Sequence, residues 1–432
     1  MSVLVYMLNL LLLGALVWAM RRQEWAQAIK PFFYPALFLK MICGVLLGWL
    51  YFEYYGAGDT IAYHQMSTTA ADVFREQGIM PYSRYLLFDE VTSEQLKEYR
   101  EAHYMGAWNV IKLFSLLNLI TAGHYYLMAL YLALFSFSGS GYLVFQLMKR
   151  YPHAASSAIF AFLFLPSVVF WSSGLLKESL VMGGIGFFVG AAVVLDAEAG
   201  TKLFYRLLLL FASLALIWFV KYFIAAAIGV SVLVGALVYV VIRSGALARL
   251  HLLLKAILLL ALLLLTLWVA SNLNYNLQFD HLPEVVVDNY HKYLAISVGK
   301  PHVEFENLLP TYFSLFLHAP LAVLWILFRP FLWEGTDLIH FLAGAESLVL
   351  LLLTIWSIYG FLRQRQKRLD WFIISMWLFS IMLAVLLTYS MPNLGTLNRY
   401  RIVFLPFFVY LLCLNPCVAS TINTLAAKLT GK

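Results

Sequence analysis

Charge is what this sequence is short of. Only 12% of its 432 residues are Asp, Glu, Lys or Arg, against about 25% in an ordinary soluble domain. That deficit excludes a water-soluble globule of usual composition. Cysteine is scarce as well: Cys43, Cys413 and Cys417 all lie in apolar stretches, so there is neither a disulfide framework nor metal-ligand spacing. Also missing is the apolar–polar alternation of a transmembrane β-strand, since runs such as 257–270 are apolar almost throughout. Residues 1–20 show no basic start and no small-residue cleavage site, and they read as a retained span rather than a leader. No internal repeat is visible.

What is abundant is hydrophobic sequence, 63% of the chain, in runs close to the length that crosses a bilayer. In hydrocarbon each backbone polar group must find its partner within its own segment, so the runs become helices. The expectation is an all-α polytopic bundle filling 1–432 as one integral membrane domain. Its spans are expected at 3–20, 32–52, 125–147, 155–172, 179–195, 203–220, 223–242, 250–270, 338–362, 371–389 and 402–418, about eleven in all. The net charge of +7 reads as topology, not as nucleic-acid binding. Arg21, Arg22 and Lys30, then Lys149 and Arg150, Lys202 and Arg206, Arg243 and Arg249, and Arg363, Arg365, Lys367 and Arg368 fall in alternate loops. The positive-inside rule then puts the N-terminus outside and the C-terminus in the cytoplasm.

Two long segments fall on the outer face. In 54–123, Ser93 is placed to cap a helix over 93–104, and 108–120 is too short and mixed to span and reads as an interfacial helix. In 271–337, Pro310, Pro320 and Pro330 interrupt an apolar stretch, which predicts a broken or re-entrant segment beside an internal cavity.

Candidate chemistry sits at the outer ends of spans. Gly56 and Gly58 allow a sharp turn that leaves Asp59 just above the bilayer, followed by Tyr63 and His64. Asp59 there is a candidate general base or ligand of a divalent metal, or else a solvated helix cap. Lys177 and Glu178 lie between two apolar runs with almost no loop; such charges either anchor at the interface or take part in a site. Arg399 and Arg401 stand on the wrong side for topology, and guanidinium forks suit phosphate oxygens. Arg329 is a third wrong-side arginine, with Glu334 nearby. Glu346, inside an apolar helix, needs a partner, and Arg329 is a candidate.

This layout resembles the GT-C superfamily of membrane glycosyltransferases. The match rests on Asp59 in the first outer loop, the amphipathic stretches after it, Glu178 as a second acidic residue, and Arg399–Tyr400 with Pro406 late in the chain. The motifs are short but span most of the sequence, and the first span, 3–20, precedes the family's usual starting point. The chain is also similar to membrane proteins of bacterial polysaccharide gene clusters. The resemblance implies a bacterial cytoplasmic (inner) membrane location, a polyprenyl-phosphate-linked sugar as donor, and a glycan, lipid or protein acceptor. Asp59 and Glu178 would be catalytic, with Mg or Mn as a possible ion on Asp59. Lys177, Arg399, Arg401, Arg329, Tyr63, His64 and Glu334 would bind substrate. An O-antigen-type polymerase and a transporter or flippase for an anionic lipid are the competing readings.

Overall fold

The structure is a computed structural model describing residues 2–102, 105–195, 200–243, 261, 265, 268, 271–272, 274–335, 337–363 and 370–430. Apart from one isolated bridge between His302 and Asn393, its regular elements are helical. Six helices among the described residues are long and apolar enough to cross a membrane, or seven if the bent pair Leu394–Val403 and Leu405–Cys413, inclined at 62°, counts as one. The chain is a multi-pass membrane protein. The residues group into two compact units. The first comprises Met1–Arg150, Phe162–Phe164 and Val168–Tyr222, and the second the remainder.

In the first unit, α1 (Ser2–Arg21) and α2 (Lys30–Trp49, prolonged by a π turn at Leu50–Tyr55) precede four helices that fill the first expected loop: α3 (Asp59–Gln77), α4 (Ile79–Phe88), α5 (Glu94–Ala102) and α6 (Met105–Thr121). Then come α7 (Tyr125–Arg150), α8 (Lys177–Ala192) and α9 (Gly200–Arg243), whose second half belongs to the other unit. One expected span differs. The segment 155–172 is not one helix: a π turn at Phe160–Phe164 is followed by extended Leu165, because Pro166 lacks a donor and forces its predecessor out of the helical region. The spans expected at 203–220 and 223–242 are two helical stretches that meet at a non-helical residue, Lys221 (φ −145°, ψ 83°). Most of 250–270 lies outside the described residues.

α7 and α8 pack through glycine. A Cβ on Gly139 would lie 2.2 Å from the Gly183 carbonyl oxygen, and one on Gly186 would lie 2.3 Å from Gly139 backbone. Between membrane helices such close backbone approach supplies the packing that the hydrophobic effect does not.

The helices of the first loop have their own core. Trp108, Ile111 and Phe114 of α6 are buried with Tyr82 and Tyr85 of α4 and Leu96 of α5. α6 is therefore covered on several sides. Asp89 ends α4 in the left-handed region (φ 59°), which a short polar side chain tolerates. Its Oδ1 accepts from Trp108 Nε1 at 2.6 Å and faces Lys112 Nζ at 2.6 Å, while that amine also caps the Leu86 carbonyl. Burial favours the protonated carboxyl, but the hydrogen bonds from Lys112 and Trp108, with the charges of Lys112 and Arg100, outweigh it and hold Asp89 below the ordinary carboxylate range. A depressed carboxylate stabilises the fold above its unfolded pKa of about 3.9 and loses that contribution as pH falls below it. Hydrogen-exchange protection of 79–121, corrected for intrinsic rates, is expected to drop below about pH 4. Asp89→Asn is expected to cost about 1.5–3 kcal/mol at neutral pH and to flatten that acid response; unchanged protection in the variant would refute the assignment.

In the second unit, α10 (Leu282–Ala295), α11 (Tyr312–Phe328), α12 (Leu338–Arg363) and α13 (Trp371–Ser390) are followed by α14 (Leu394–Tyr400), α15 (Leu405–Cys413) and α16 (Pro416–Thr430). Its core joins Val286, Val287 and Tyr290 to Phe305, Ala322 and Tyr389. The proline-broken segment expected here is continuous. Pro310 and Pro330 flank α11, and Pro320 sits inside it.

Candidate functional site

α2 ends in a π turn, a device that inserts a residue and often marks functional positions. Gly56 (φ 67°) and Gly58 (φ 131°) then reverse the chain, and at Gly58 a Cβ would also strike the Tyr51 ring at 2.7 Å. The turn delivers Asp59 as the first residue of α3, half-buried, where the positive end of the helix favours a carboxylate. Tyr63 follows one turn later, buried, with Lys177 Nζ 5.4 Å from its ring centroid. Tyr99 of α5 comes close to Asp59: burial, and then the Asp59 charge, push its phenol up to about 12. Tyr99 thus keeps its proton at neutral pH beside the carboxylate. Around them, Thr60 bonds the Tyr125 hydroxyl at 2.8 Å, and His64 Nε2 lies 2.8 Å from the Gly123 carbonyl oxygen.

Lys177 and Glu178 open α8. Lys177 is partly exposed, whereas Glu178 is buried and takes a 2.9 Å ion pair from Lys221 Nζ, also buried. Lys221 reaches it from the break in α9. A break leaves carbonyls without helical donors, and α6 serves one of them: Asn109 Nδ2 donates to Phe219 O at 2.8 Å, and Gly106 approaches Val220 O so closely that a Cβ would lie at 2.6 Å. Asp59, Tyr63, Lys177 and Glu178, expected from sequence, thus belong to one unit, joined by Lys221 and Tyr99.

Lys40 was not singled out from sequence, although the signal is plain: a lysine in the middle of the apolar run 32–52. It is buried in α2 and donates to Ser172 Oγ at 2.7 Å, on the turn that leads into Lys177.

The remaining expected residues belong to the second unit, and here the structure corrects the pairing. Glu346 is not the partner of Arg329. It faces Arg401 Nη2 at 3.3 Å and accepts from Ser167 N at 2.9 Å and Ser167 Oγ at 2.6 Å. Arg401, expected to hold phosphate, is fully buried; its Nη1 donates to Ser347 Oγ and to the carbonyls of Ile326, Leu327 and Arg329. It therefore ties the end of α11 to α12. Arg329 and Glu334 close on each other, with Nε to Oε1 at 2.7 Å. Arg399 is 9% exposed and lies with its guanidinium 4.9 Å from the Tyr400 ring centroid.

A divalent ion at Asp59 would need several further oxygen ligands. Among the described residues no group of three or more His, Cys, Asp or Glu side chains comes together, and Glu178 is committed to Lys221. The residues present do not by themselves make such a site, and no step below runs through a metal. Comparison with known proteins finds no matching family model, no similar curated protein and no similar solved structure, so the reading of the site rests on its chemistry.

Proposed function

We propose that this chain is a membrane glycosyltransferase of the GT-C kind. It would move a sugar from a polyprenyl-phosphate donor to a glycan, lipid or protein acceptor at the outer face of a bacterial cytoplasmic membrane. The supporting observation is the grouping, in one unit, of Asp59 at the start of α3, Lys177 over Tyr63 at the start of α8, and the buried Glu178–Lys221 pair. In this reading the acceptor hydroxyl attacks the anomeric carbon as Asp59 takes its proton. The bond from that carbon to the donor phosphate oxygen breaks, and the electron pair leaves with polyprenyl phosphate. Lys177, at the start of α8, meets the growing negative charge, where electrostatic help acts mainly on the transition state. Glu178, paired with Lys221, holds the start of α8 in place.

The test is sugar transfer in proteoliposomes supplied with candidate polyprenyl-phosphate sugars. Asp59→Asn is expected to lower turnover roughly 10²- to 10⁴-fold, the usual worth of a general base, with donor binding retained. Wild-type turnover by that variant would remove the base and favour an O-antigen-type polymerase, which needs no carboxylate there. A transporter or flippase for an anionic lipid is the second reading, motivated by the helix break at Lys221 and its buried ion pair. Lipid flux without covalent product would support it.

A further inference from the structure

α11 is apolar, and the sequence places it between two spans, yet its hydrogen bonds are not those of a helix running beside its neighbours. The Leu315 carbonyl accepts from Tyr389 Oη at 2.5 Å, and the Ala322 carbonyl accepts from Thr388 Oγ1 at 3.1 Å. Two turns along α11 thus correspond to adjacent residues of α13. Further on, the carbonyls of Ile326, Leu327 and Arg329 accept from Arg401, which also holds Glu346 and Ser347 of α12. Thr388 and Tyr389 stand roughly 26 Å along α13 from Trp371, and Glu346 and Ser347 stand roughly 25 Å along α12 from Arg363, at about 1.5 Å per residue. Those starting ends are neighbours in sequence, separated only by 364–370. The groups met by α11 therefore lie at one level, while α11 itself advances about 20 Å between Leu315 and Arg329.

One face of α11 carries buried Ser314, Ala322 and Ile326. The other carries Phe313, Phe316, Leu317 and Leu324, exposed by 76%, 80%, 65% and 52%. At its end, Glu334 locks a tight turn by accepting from Phe331 N and Arg329 Nε, each at 2.7 Å. Trp333, 79% exposed, stacks on Phe331 there, with ring centroids 5.1 Å apart. Tryptophan is the side chain that prefers the boundary between headgroups and acyl chains.

We infer that α11 does not cross the membrane but lies in its plane, at the ends of α12 and α13 remote from Arg363 and Trp371, with its phenylalanine and leucine face against lipid acyl chains. The occupant is lipid because the face is wholly apolar, belongs to a multi-pass membrane protein and ends at an interfacial tryptophan. Cost decides the matter too: leaving several large apolar side chains in water would forfeit about 1.5–3 kcal/mol each. This inference is independent of any transferase activity.

The test is nitroxide depth measurement in liposomes of phosphatidylcholine with phosphatidylglycerol. Phe313→Cys, Phe316→Cys, Leu321→Cys and Leu324→Cys are labelled one at a time in the full chain, with Cys43, Cys413 and Cys417 replaced by alanine. All four labels are expected to favour oxygen over a water-soluble nickel chelate and to report one depth within about 5 Å, whereas a spanning helix would spread them over about 16 Å. That spread would overturn the inference. So would labels open to nickel alone, which means water, or labels shielded from both reagents with dipolar broadening, which means a second copy of the chain. If the cysteine-free background does not fold, photo-crosslinking residues at the same four positions in the native background read the same surface. Lipid adducts at all four sites are expected, and adducts confined to protein would overturn the inference.

Discussion

Lys221→Met is expected to destabilise the protein by about 3–5 kcal/mol, because it strands Glu178 as a buried carboxylate without its cation. Both members of the pair are almost fully enclosed, with side chains 7% and 2% exposed, and the ammonium meets the carboxylate at 2.9 Å. Desolvating two ions costs more than most surface pairs return, so the large effect belongs to breaking the pair and not to its net worth. The double variant Lys221→Met with Glu178→Gln is accordingly expected to recover most of the loss. A double-mutant cycle on detergent-solubilised protein measures this directly. Two single variants each costing under about 1 kcal/mol, and adding independently, would show that the pair is not the buried unit described.

Arg401→Ala is expected to be at least as damaging, again by about 3–5 kcal/mol. The guanidinium is fully buried and serves Glu346, Ser347 and three carbonyl oxygens. Two of those carbonyls, on Ile326 and Leu327, belong to the last turn of α11, where no helical donor reaches them. Arg401→Lys keeps the charge but not the planar fork, and it is expected to restore less than half of the lost stability. Glu346→Gln is expected to be milder, since Ser167 can still donate to the amide oxygen. Thermal unfolding in detergent orders the three variants. An Arg401→Ala protein that melts with the wild type would return Arg401 to the set of phosphate-binding candidates.

These two pairs also show how far the residues could be read in advance. That Glu346 must have a cationic partner followed from its place in an apolar run, because an unpaired carboxylate there is costly whatever the fold. Which cation it takes did not follow. Arg329 is nearer in sequence, but it turns to Glu334 five residues on. The partner lies 55 residues away, brought in by the bend between α14 and α15. Glu178 was legible as a candidate for the same reason as Glu346. Its partner was hidden because Lys221 lies 43 residues away, at the break between two helical stretches. Lys40 was legible and overlooked: one lysine in a span is visible in any hydropathy reading.

Composition and periodicity by themselves determined that the chain is helical and lives in a membrane. Both follow from local rules: apolar runs of bilayer length must satisfy their own backbone, and only a helix does so without a neighbour. They also located Asp59 at a turn, since paired glycines are a local signal. Tertiary structure decided the rest. It set where a helix stops being straight, as at Pro166 and Lys221, and whether an apolar segment such as α11 runs beside its neighbours or across their ends. It also decided whether a polar residue such as Arg401 faces a site or is enclosed by the fold. Those outcomes depend on which carbonyls and charges meet across distant parts of the chain, and no one-dimensional pattern of hydrophobicity encodes that meeting.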